Sequence, residues 1–298
     1  MLLAAVLLAA VVLLLATVVP ARLARAEWPL RAPVLALVLW QALGLAGGLL
    51  ALEVAFTTAL APLGATHLQA LRRLATLPLA QLPAWAGVAA VIGVALLLRL
   101  TGVLVSSTAR TLRSRHRHRI LVDLLAVPSA SLPGARVVDH EVPVAYCLPG
   151  LRPRLVLSQG VLAVLDDAEV AAVLAHERAH LTQRHDLVVL PFVALGATFP
   201  RLPAVRTARS CVALLIELLA DDQAVRSSRR EVLARALCKV GTAGVPAGGL
   251  GAGEDAVLRA HRLLSPAAPL PTAARLAVAA AAMAVLAIPV LGVLLPGV

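Results

Sequence analysis

Residues 166–186 read DDAEVAAVLAHERAHLTQRHD and have the features of a single helix. Asp166 followed by Glu169 is a helix-start signature, in which each side chain bonds a backbone N–H of the other residue. Apolar residues recur at helical spacing after it, and no glycine or proline interrupts them. His176 and His180 are four residues apart, so both imidazoles project from one face of the predicted helix.

This pair of histidines predicts a metal site. Two nitrogen ligands on one face are what a tetrahedral zinc site needs from a single element. Glu177 follows His176 and is rotated about 100° around the helix axis, so its carboxylate lies beside the metal position. That is the general-base position of the HExxH pattern. The alternative is a surface helix with two solvated histidines, but the flanking residues are apolar.

A catalytic zinc site needs a third donor, and the segment CVALLIELLADDQAV at 211–225 offers one. Glu217 stands there in an otherwise apolar helix-like run, where an acid must be paired or must bind a metal. Asp221 is on the same helical face and can accept the outer N–H of a ligand histidine. The alternative for Glu217 is an ion pair with an arginine such as Arg206 or Arg209.

The composition indicates a membrane protein. Hydrophobic residues make up 60% of the chain and charged residues 14%, whereas a globular chain carries about 25% charged residues. Four apolar stretches can cross a bilayer core of about 30 Å, at residues 1–20, about 33–60, about 83–105 and about 273–295. A cleaved signal peptide is the alternative for the first stretch. However, no basic residue precedes this stretch, and it exceeds the length of about 7–15 residues that is usual for the apolar part of a signal peptide.

The basic residues predict an orientation. A net charge of +11 would suit nucleic acid, but there is no basic stripe with interleaved aromatic residues, so no direct nucleic-acid binding is expected. The arginine cluster at 110–119 directly follows the third stretch and is typical of a cytoplasmic loop. The cysteines lack CxxC spacing, which favours reduced thiols in a cytosolic domain. We therefore expect a multi-pass protein of the cell membrane, in contact with the lipid bilayer, with its polar part in the cytoplasm.

The predicted fold class is a mainly α membrane protein with four transmembrane helices and an α+β metallopeptidase domain inserted before the last. The predicted domains are a three-helix transmembrane region at 1–106, a cytoplasmic zinc metallopeptidase domain at 107–270 and a fourth transmembrane helix at 271–298. Short strands are predicted at Arg136–His140, Val142–Cys147 and Arg154–Ser158. A glycine-rich loop is predicted at 241–253.

The HExxH motif at 176–180, followed by Glu217-Leu-Leu-Ala-Asp221, resembles the gluzincin peptidases. The order of three spans, an HExxH domain and a fourth span resembles the BlaR/MecR-type integral membrane metallopeptidases, the signal-transducing proteases of bacterial beta-lactam sensing. HtpX-like quality-control proteases are also similar, but they are expected to place only two spans before the motif. The resemblance implies one zinc ion per chain, Glu177 as the catalytic base, and ligands at His176, His180 and Glu217.

Two features depart from the BlaR/MecR pattern. Classical sensors carry an extracellular penicillin-binding domain after the fourth span, whereas this sequence ends at Val298, so beta-lactam sensing by that route is not expected. The active helix of that family often ends with an aspartate five residues after the second ligand. That position is His185 here, and Asp186 follows it. These two residues either orient their neighbours or form a solvated helix end.

The sequence therefore predicts a membrane-anchored zinc metalloendopeptidase with a protein substrate. By resemblance, the expected substrate is a cytosolic protein such as a BlaI-type transcriptional repressor, cleaved in signal transduction. Two alternatives stay open: an HtpX-like quality-control protease, and a non-catalytic signalling scaffold with a structural zinc site. Glu177 argues against the scaffold, because a structural site has no use for a base. One strand among 142–158 is expected to pair with an extended substrate.

Overall fold

The structure is a computed structural model that describes residues 1–76, 82–150, 152–243 and 250–294. Its α-helices are α1 Leu2–Ala16, α2 Val18–Arg25, α3 Trp28–Arg31, α4 Pro33–Leu60, α5 His67–Leu74, α6 Ala84–Leu125, α7 Gln159–Val164, α8 Asp167–Thr182, α9 His185–Thr198, α10 Pro203–Ala224, α11 Arg230–Ala243, α12 Leu250–Leu264 and α13 Thr272–Leu294. A single 3-10 turn, Ala61–Leu63, follows α4. The strands are β1 Val127–Pro128, β2 Ala135–Val138, β3 Ala145–Leu148 and β4 Arg154–Ser158.

Four helical stretches in the described residues are long and apolar enough to cross a membrane, which confirms the number predicted. They are Leu2–Arg25, Pro33–Leu63, Ala84–Leu125 and Thr272–Leu294. Helix α4 is central among them, because α1, α6 and α13 all pack against it. Helix α6 runs without a break across the predicted domain boundary at 106 and has 42 residues, so it is about 63 Å long. Roughly half of it therefore extends beyond a bilayer core of about 30 Å.

Helix α9 is a shorter apolar helix that the sequence analysis did not predict. It packs against α6, and Gln41 of α4 donates a side-chain hydrogen bond of 2.8 Å to the carbonyl of Val188. At its other end, the Arg99 guanidinium donates to the carbonyl of Thr198 at 2.7 Å. The helix that follows α8 is thus held between two of the candidate membrane-spanning helices, α4 and α6, which ties the HExxH segment to the long apolar helices.

A four-stranded mixed sheet with the order β1-β2-β4-β3 lies beside α8. The strand predicted at Arg154–Ser158 is confirmed as β4, but β2 and β3 are shifted from their predicted bounds. Because β2 and β3 pair with opposite edges of β4, residues 139–144 carry the chain from one edge of β4 to the other. Strand β3 pairs antiparallel with β4 only, so it is an edge strand among the described residues.

The core below the site helix is apolar. Val170 and Val173 of α8 are buried against Leu157 of β4 and Val161 of α7. The predicted glycine-rich loop at 241–253 lies partly outside the described residues. Within them, α11 continues to Ala243 and α12 already begins at Leu250, so both ends of the predicted loop are helical.

Candidate active site

The helix that carries the HExxH motif begins as the sequence predicted. Asp166 Oδ1 accepts a hydrogen bond of 2.8 Å from the N–H of Glu169, and Glu169 Oε2 accepts one of 3.1 Å from the N–H of Asp166. Glu169 is fully buried, and Lys239 of α11 donates to its carboxylate at 2.6 Å. The capping box thus fixes the first turn of α8 and ties it to α11, two turns before His176.

Three predicted donors meet at one point. His176 Nε2 lies 3.1 Å from His180 Nε2 and 3.3 Å from Glu217 Oε2. His180 Nε2 lies 3.6 Å from Glu217 Oε1. Glu217 is on α10, which packs directly against α8, so the predicted meeting of these two helices occurs. The predicted arginine partners Arg206 and Arg209 make no ion pair with Glu217 in the described residues.

These distances fit a tetrahedral zinc ion. With zinc–ligand bonds of about 2.0–2.1 Å, neighbouring ligand atoms of a tetrahedron are about 3.3 Å apart. The two imidazole nitrogens are 3.1 Å apart, His176 Nε2 lies 3.3 Å from Glu217 Oε2, and His180 Nε2 lies 3.6 Å from Glu217 Oε1, so all three side chains can reach one zinc ion. Two imidazole nitrogens and one carboxylate oxygen are also a donor set that catalytic zinc sites use. Among the described residues, these three side chains can therefore supply three ligands to one zinc ion and leave its fourth coordination position open.

Asp221 lies behind the first histidine, as predicted. Its Oδ1 is 3.0 Å from His176 Nδ1, although the N–H does not point directly at it. The Asp221 side chain is 1% exposed. A carboxylate at this depth needs charged or hydrogen-bonding partners, and contact with the outer nitrogen of His176 leaves Nε2 directed toward the metal position.

Arg259 of α12 is the functional residue that the sequence analysis missed. Its Nε and Nη2 donate to the two carboxylate oxygens of Asp221 at 2.8 and 2.7 Å, and its Nη1 lies 2.9 Å from Glu217 Oε2. Because Arg259 holds Oε2, the other oxygen of Glu217 is the one better placed for a metal. The burial of Asp221 signals that some cation must accompany it, but local sequence gives no sign of which one.

The adjacent acid Asp222 is paired with a different arginine. Arg262 donates to both of its carboxylate oxygens, at 2.7 and 2.9 Å, and its Nε donates to the carbonyl of Leu30 at 2.8 Å. Arg262 follows Arg259 by three residues, so both arginines lie on one face of α12. This face clamps the C-terminal turns of α10 through two forked ion pairs.

His185 is buried beneath the second histidine, so the alternative of a solvated helix end is wrong for it. It is 4% exposed, and its Nδ1 lies 2.9 Å from His180 Nδ1. Its Nε2 lies 2.9 Å from Gln183 Oε1, which can only accept. His185 Nε2 is therefore the donor to Gln183, and its Nδ1 can accept from His180. That arrangement leaves the His180 Nε2 lone pair directed toward the metal position.

Glu177 lies beside the metal position and next to edge strand β3. The backbone N–H and the thiol of Cys147 lie within hydrogen-bonding reach of its carboxylate. Burial raises the pKa of Glu177 to about 7, with the negative charge of Glu217 adding to the effect. Burial, together with Glu177, also raises the pKa of the Cys147 thiol to about 12, so this cysteine stays protonated. A carboxylate with a pKa near neutrality suits a general base.

The two histidines differ sharply in protonation. Burial disfavours a charged His176, but the adjacent carboxylates of Asp221 and Glu217 outweigh this effect and raise the pKa of His176 to about 9. Burial lowers the pKa of His180 to about 4, although the charge of Glu217 opposes this shift. His180 is therefore neutral and ready to bind a metal near pH 7, whereas His176 must first lose a proton.

Part of this site lies in a region that is similar to a known protein family. Residues 111–214 match the family model of Peptidase family M48. The matched region is about a third of the chain and includes the HExxH motif, but ends before Glu217. It supports a metallopeptidase function for this part of the protein. It does not single out the BlaR/MecR type, which stays a prediction. No curated protein and no solved structure matches the chain.

Proposed function

We propose that the protein is a membrane-anchored zinc metalloendopeptidase with its active site at the junction of α8 and α10. The observation that carries the proposal is the meeting of His176, His180 and Glu217 around one point, with Glu177 next to His176 on the same helix. A structural zinc site needs a fourth protein ligand, whereas the metal-binding group in the described residues has three members, His176, His180 and Glu217. This open position favours catalysis over the scaffold alternative.

Zinc bound at this site would act as a Lewis acid toward the scissile carbonyl and make a water more acidic. Glu177 is placed to take a proton from the attacking water and later to deliver it to the leaving amine. Its pKa of about 7 allows both transfers near neutral pH. Asp221 and His185 would hold the outer nitrogens of the two histidines, and Arg259 would hold one oxygen of Glu217.

Strand β3 is the proposed docking edge for the substrate. It is an edge strand among the described residues, it packs against α8, and Cys147 within it touches Glu177. An extended peptide that added to this edge would place its backbone next to the catalytic base. The hydrogen bonds would be made by main-chain groups, so the edge itself would select an extended segment rather than a particular residue.

The substrate proposed is a protein on the cytoplasmic side, and a transcriptional repressor of the BlaI type is the specific candidate. The cytoplasmic side is inferred from the arginine cluster of α6, which lies on the same side of the apolar run as the site. The repressor rests on the resemblance to BlaR/MecR-type peptidases. A quality-control role would instead give many cleaved membrane proteins, so the two readings differ in the number and kind of substrates.

The test compares cells that produce the active protein with cells that produce Glu177→Gln. Loss of the general base should slow hydrolysis by about 10²–10⁴-fold, while purified Glu177→Gln should still bind one zinc per chain. His180→Ala should lose both zinc and activity. Glu231→Gln, which changes an acid that is 58% exposed, is the matched control and should behave like the unmodified protein.

Quantitative proteomics with labelled N-termini identifies the cleaved proteins. One cytosolic protein cleaved only with the active enzyme supports the regulatory role, and many cleaved membrane proteins support quality control. Undiminished cleavage by Glu177→Gln would refute the mechanism. Zinc retained in full by His180→Ala would refute the ligand assignment.

A further inference from the structure

The five arginines that follow the third membrane stretch divide into two groups. Arg115 and Arg119 face the protein, where Arg115 binds Asp186 at 2.7 Å and Arg119 donates to the carbonyl of Arg152 at 2.7 Å. The other three, Arg110, Arg113 and Arg117, are exposed. The inner pair therefore has a structural role, whereas the outer three form no ion pair with any of the described residues.

The outer three arginines share one helical face. They are spaced by three and four residues, so they span two turns, or about 10.5 Å, of α6. Together with Ser114, His118 and Leu121 they line a surface hollow of about 420 Å³. In the described residues none of the three has a carboxylate within 4.0 Å, and only Arg110 has a side-chain partner, Ser107 at 3.4 Å. The sequence also contains no acid between Glu53 and Asp123.

The position of this face relative to the membrane identifies its partner. The apolar part of α6, Ala84–Val105, is about 33 Å long and matches a bilayer core of about 30 Å. Arg110 is five residues past Val105, or about 7.5 Å along the axis. The headgroup layer is about 5–8 Å thick on each side, so Arg110 lies at its outer limit. Arg113 and Arg117 lie further out, and their long side chains can reach back toward the phosphates.

We propose that Arg110, Arg113 and Arg117 form a binding site for the headgroup phosphate of anionic phospholipids. Guanidinium groups bind phosphate oxygens through paired hydrogen bonds, and basic residues next to a membrane span are attracted to anionic lipid. The site would hold the extramembrane half of α6 at a fixed distance from the membrane surface. It would also hold α8, because α9 directly follows α8 and packs against α6. The proposal does not depend on peptidase activity.

The test uses the full-length protein in a nonionic detergent, titrated with dioleoyl phosphatidylglycerol or dioleoyl phosphatidylcholine and followed by native mass spectrometry. Each arginine near an anionic surface should contribute about fivefold to affinity, and three about 100-fold. Phosphatidylglycerol should therefore bind far more tightly than phosphatidylcholine. The triple variant Arg110→Gln, Arg113→Gln, Arg117→Gln should lose this preference, and 1 M NaCl should weaken it in the unmodified protein.

Two further variants make the result decisive. A control triple variant removes the same charge from exposed positions elsewhere, Arg226→Gln, Arg229→Gln and Arg230→Gln. It should keep the preference for phosphatidylglycerol. The single variant Arg113→Gln should bind phosphatidylglycerol about fivefold more weakly, which tests the proposal if the triple variant does not fold. Equal binding of the two lipids, or a preference unchanged in the triple variant, overturns the proposal. Equally tight binding of inorganic phosphate or of polyglutamate would also overturn it, in favour of a soluble anion or an acidic protein.

Discussion

Zinc binding to this site should depend on pH through one proton. In the metal-free site, His176 is held between Asp221, 3.0 Å from its Nδ1, and Glu217, 3.3 Å from its Nε2. These carboxylates raise the pKa of His176 to about 9 against the opposing effect of burial. Zinc must displace the Nε2 proton, because a ligand nitrogen must be unprotonated. His180, with its pKa lowered to about 4, is already neutral near pH 7, so zinc displaces no proton from its Nε2.

The size of the effect follows from the pKa. At pH 7 a group with a pKa of about 9 is unprotonated in about one molecule in a hundred, so zinc should bind about 100-fold more weakly than at high pH. That ratio corresponds to about 2.7 kcal/mol. Because the pKa of His176 is raised, the affinity for zinc rises with pH and levels off above pH 9. Between pH 7 and 8.5 the expected slope is tenfold per pH unit.

The assay is a competition titration against a chromophoric zinc chelator at constant ionic strength, in half-unit steps from pH 6.5 to 9.5. Asp221→Asn is the informative variant, because it removes one charge that raises the pKa of His176. Its zinc affinity should become nearly independent of pH above 7, whatever its absolute value. A flat profile in the unmodified protein, or a slope of two protons above pH 8, where Glu177 is already ionised, would refute this account of the site.

Two more changes test residues outside the HExxH motif. Arg259→Gln should destabilise the metal-free protein by about 3–5 kcal/mol, because it leaves the buried carboxylate of Asp221 without its cation. Thermal unfolding followed by circular dichroism measures this loss, with Arg226→Gln as the exposed control. An unchanged unfolding midpoint would contradict the role of Arg259 as the partner of Asp221. His185→Ala should weaken zinc binding by about 10–100-fold, because it removes the partner that orients His180. His185→Asn can still accept a hydrogen bond and should recover part of the zinc affinity. Equal zinc affinity of His185→Ala and the unmodified protein would show that His185 does not position the ligand.

Much of the site was predictable because it depends on local spacing. The pair His176 and His180 shares a face by helical geometry alone, and the capping box of Asp166 and Glu169 marks the start of that helix. Glu217 and Asp221 could be singled out because acids in an apolar helical run must have partners. The four apolar stretches follow from length and composition, since a bilayer core sets the length of a spanning helix.

The rest required the tertiary structure, because it depends on which distant segments meet. Arg259 is 42 positions from Glu217 and carries no local signal, yet it holds both acids of α10. The shifts of β2 and β3 come from the crossover that their parallel and antiparallel partners impose. The outer and inner arginines of α6 look alike in sequence, and only packing separates those that bind Asp186 and backbone carbonyls from those left exposed. The sequence determined which residues have metal chemistry, since that depends on side-chain type and helical period. The tertiary structure decided which charges neutralise one another, since that depends on the distances between helices.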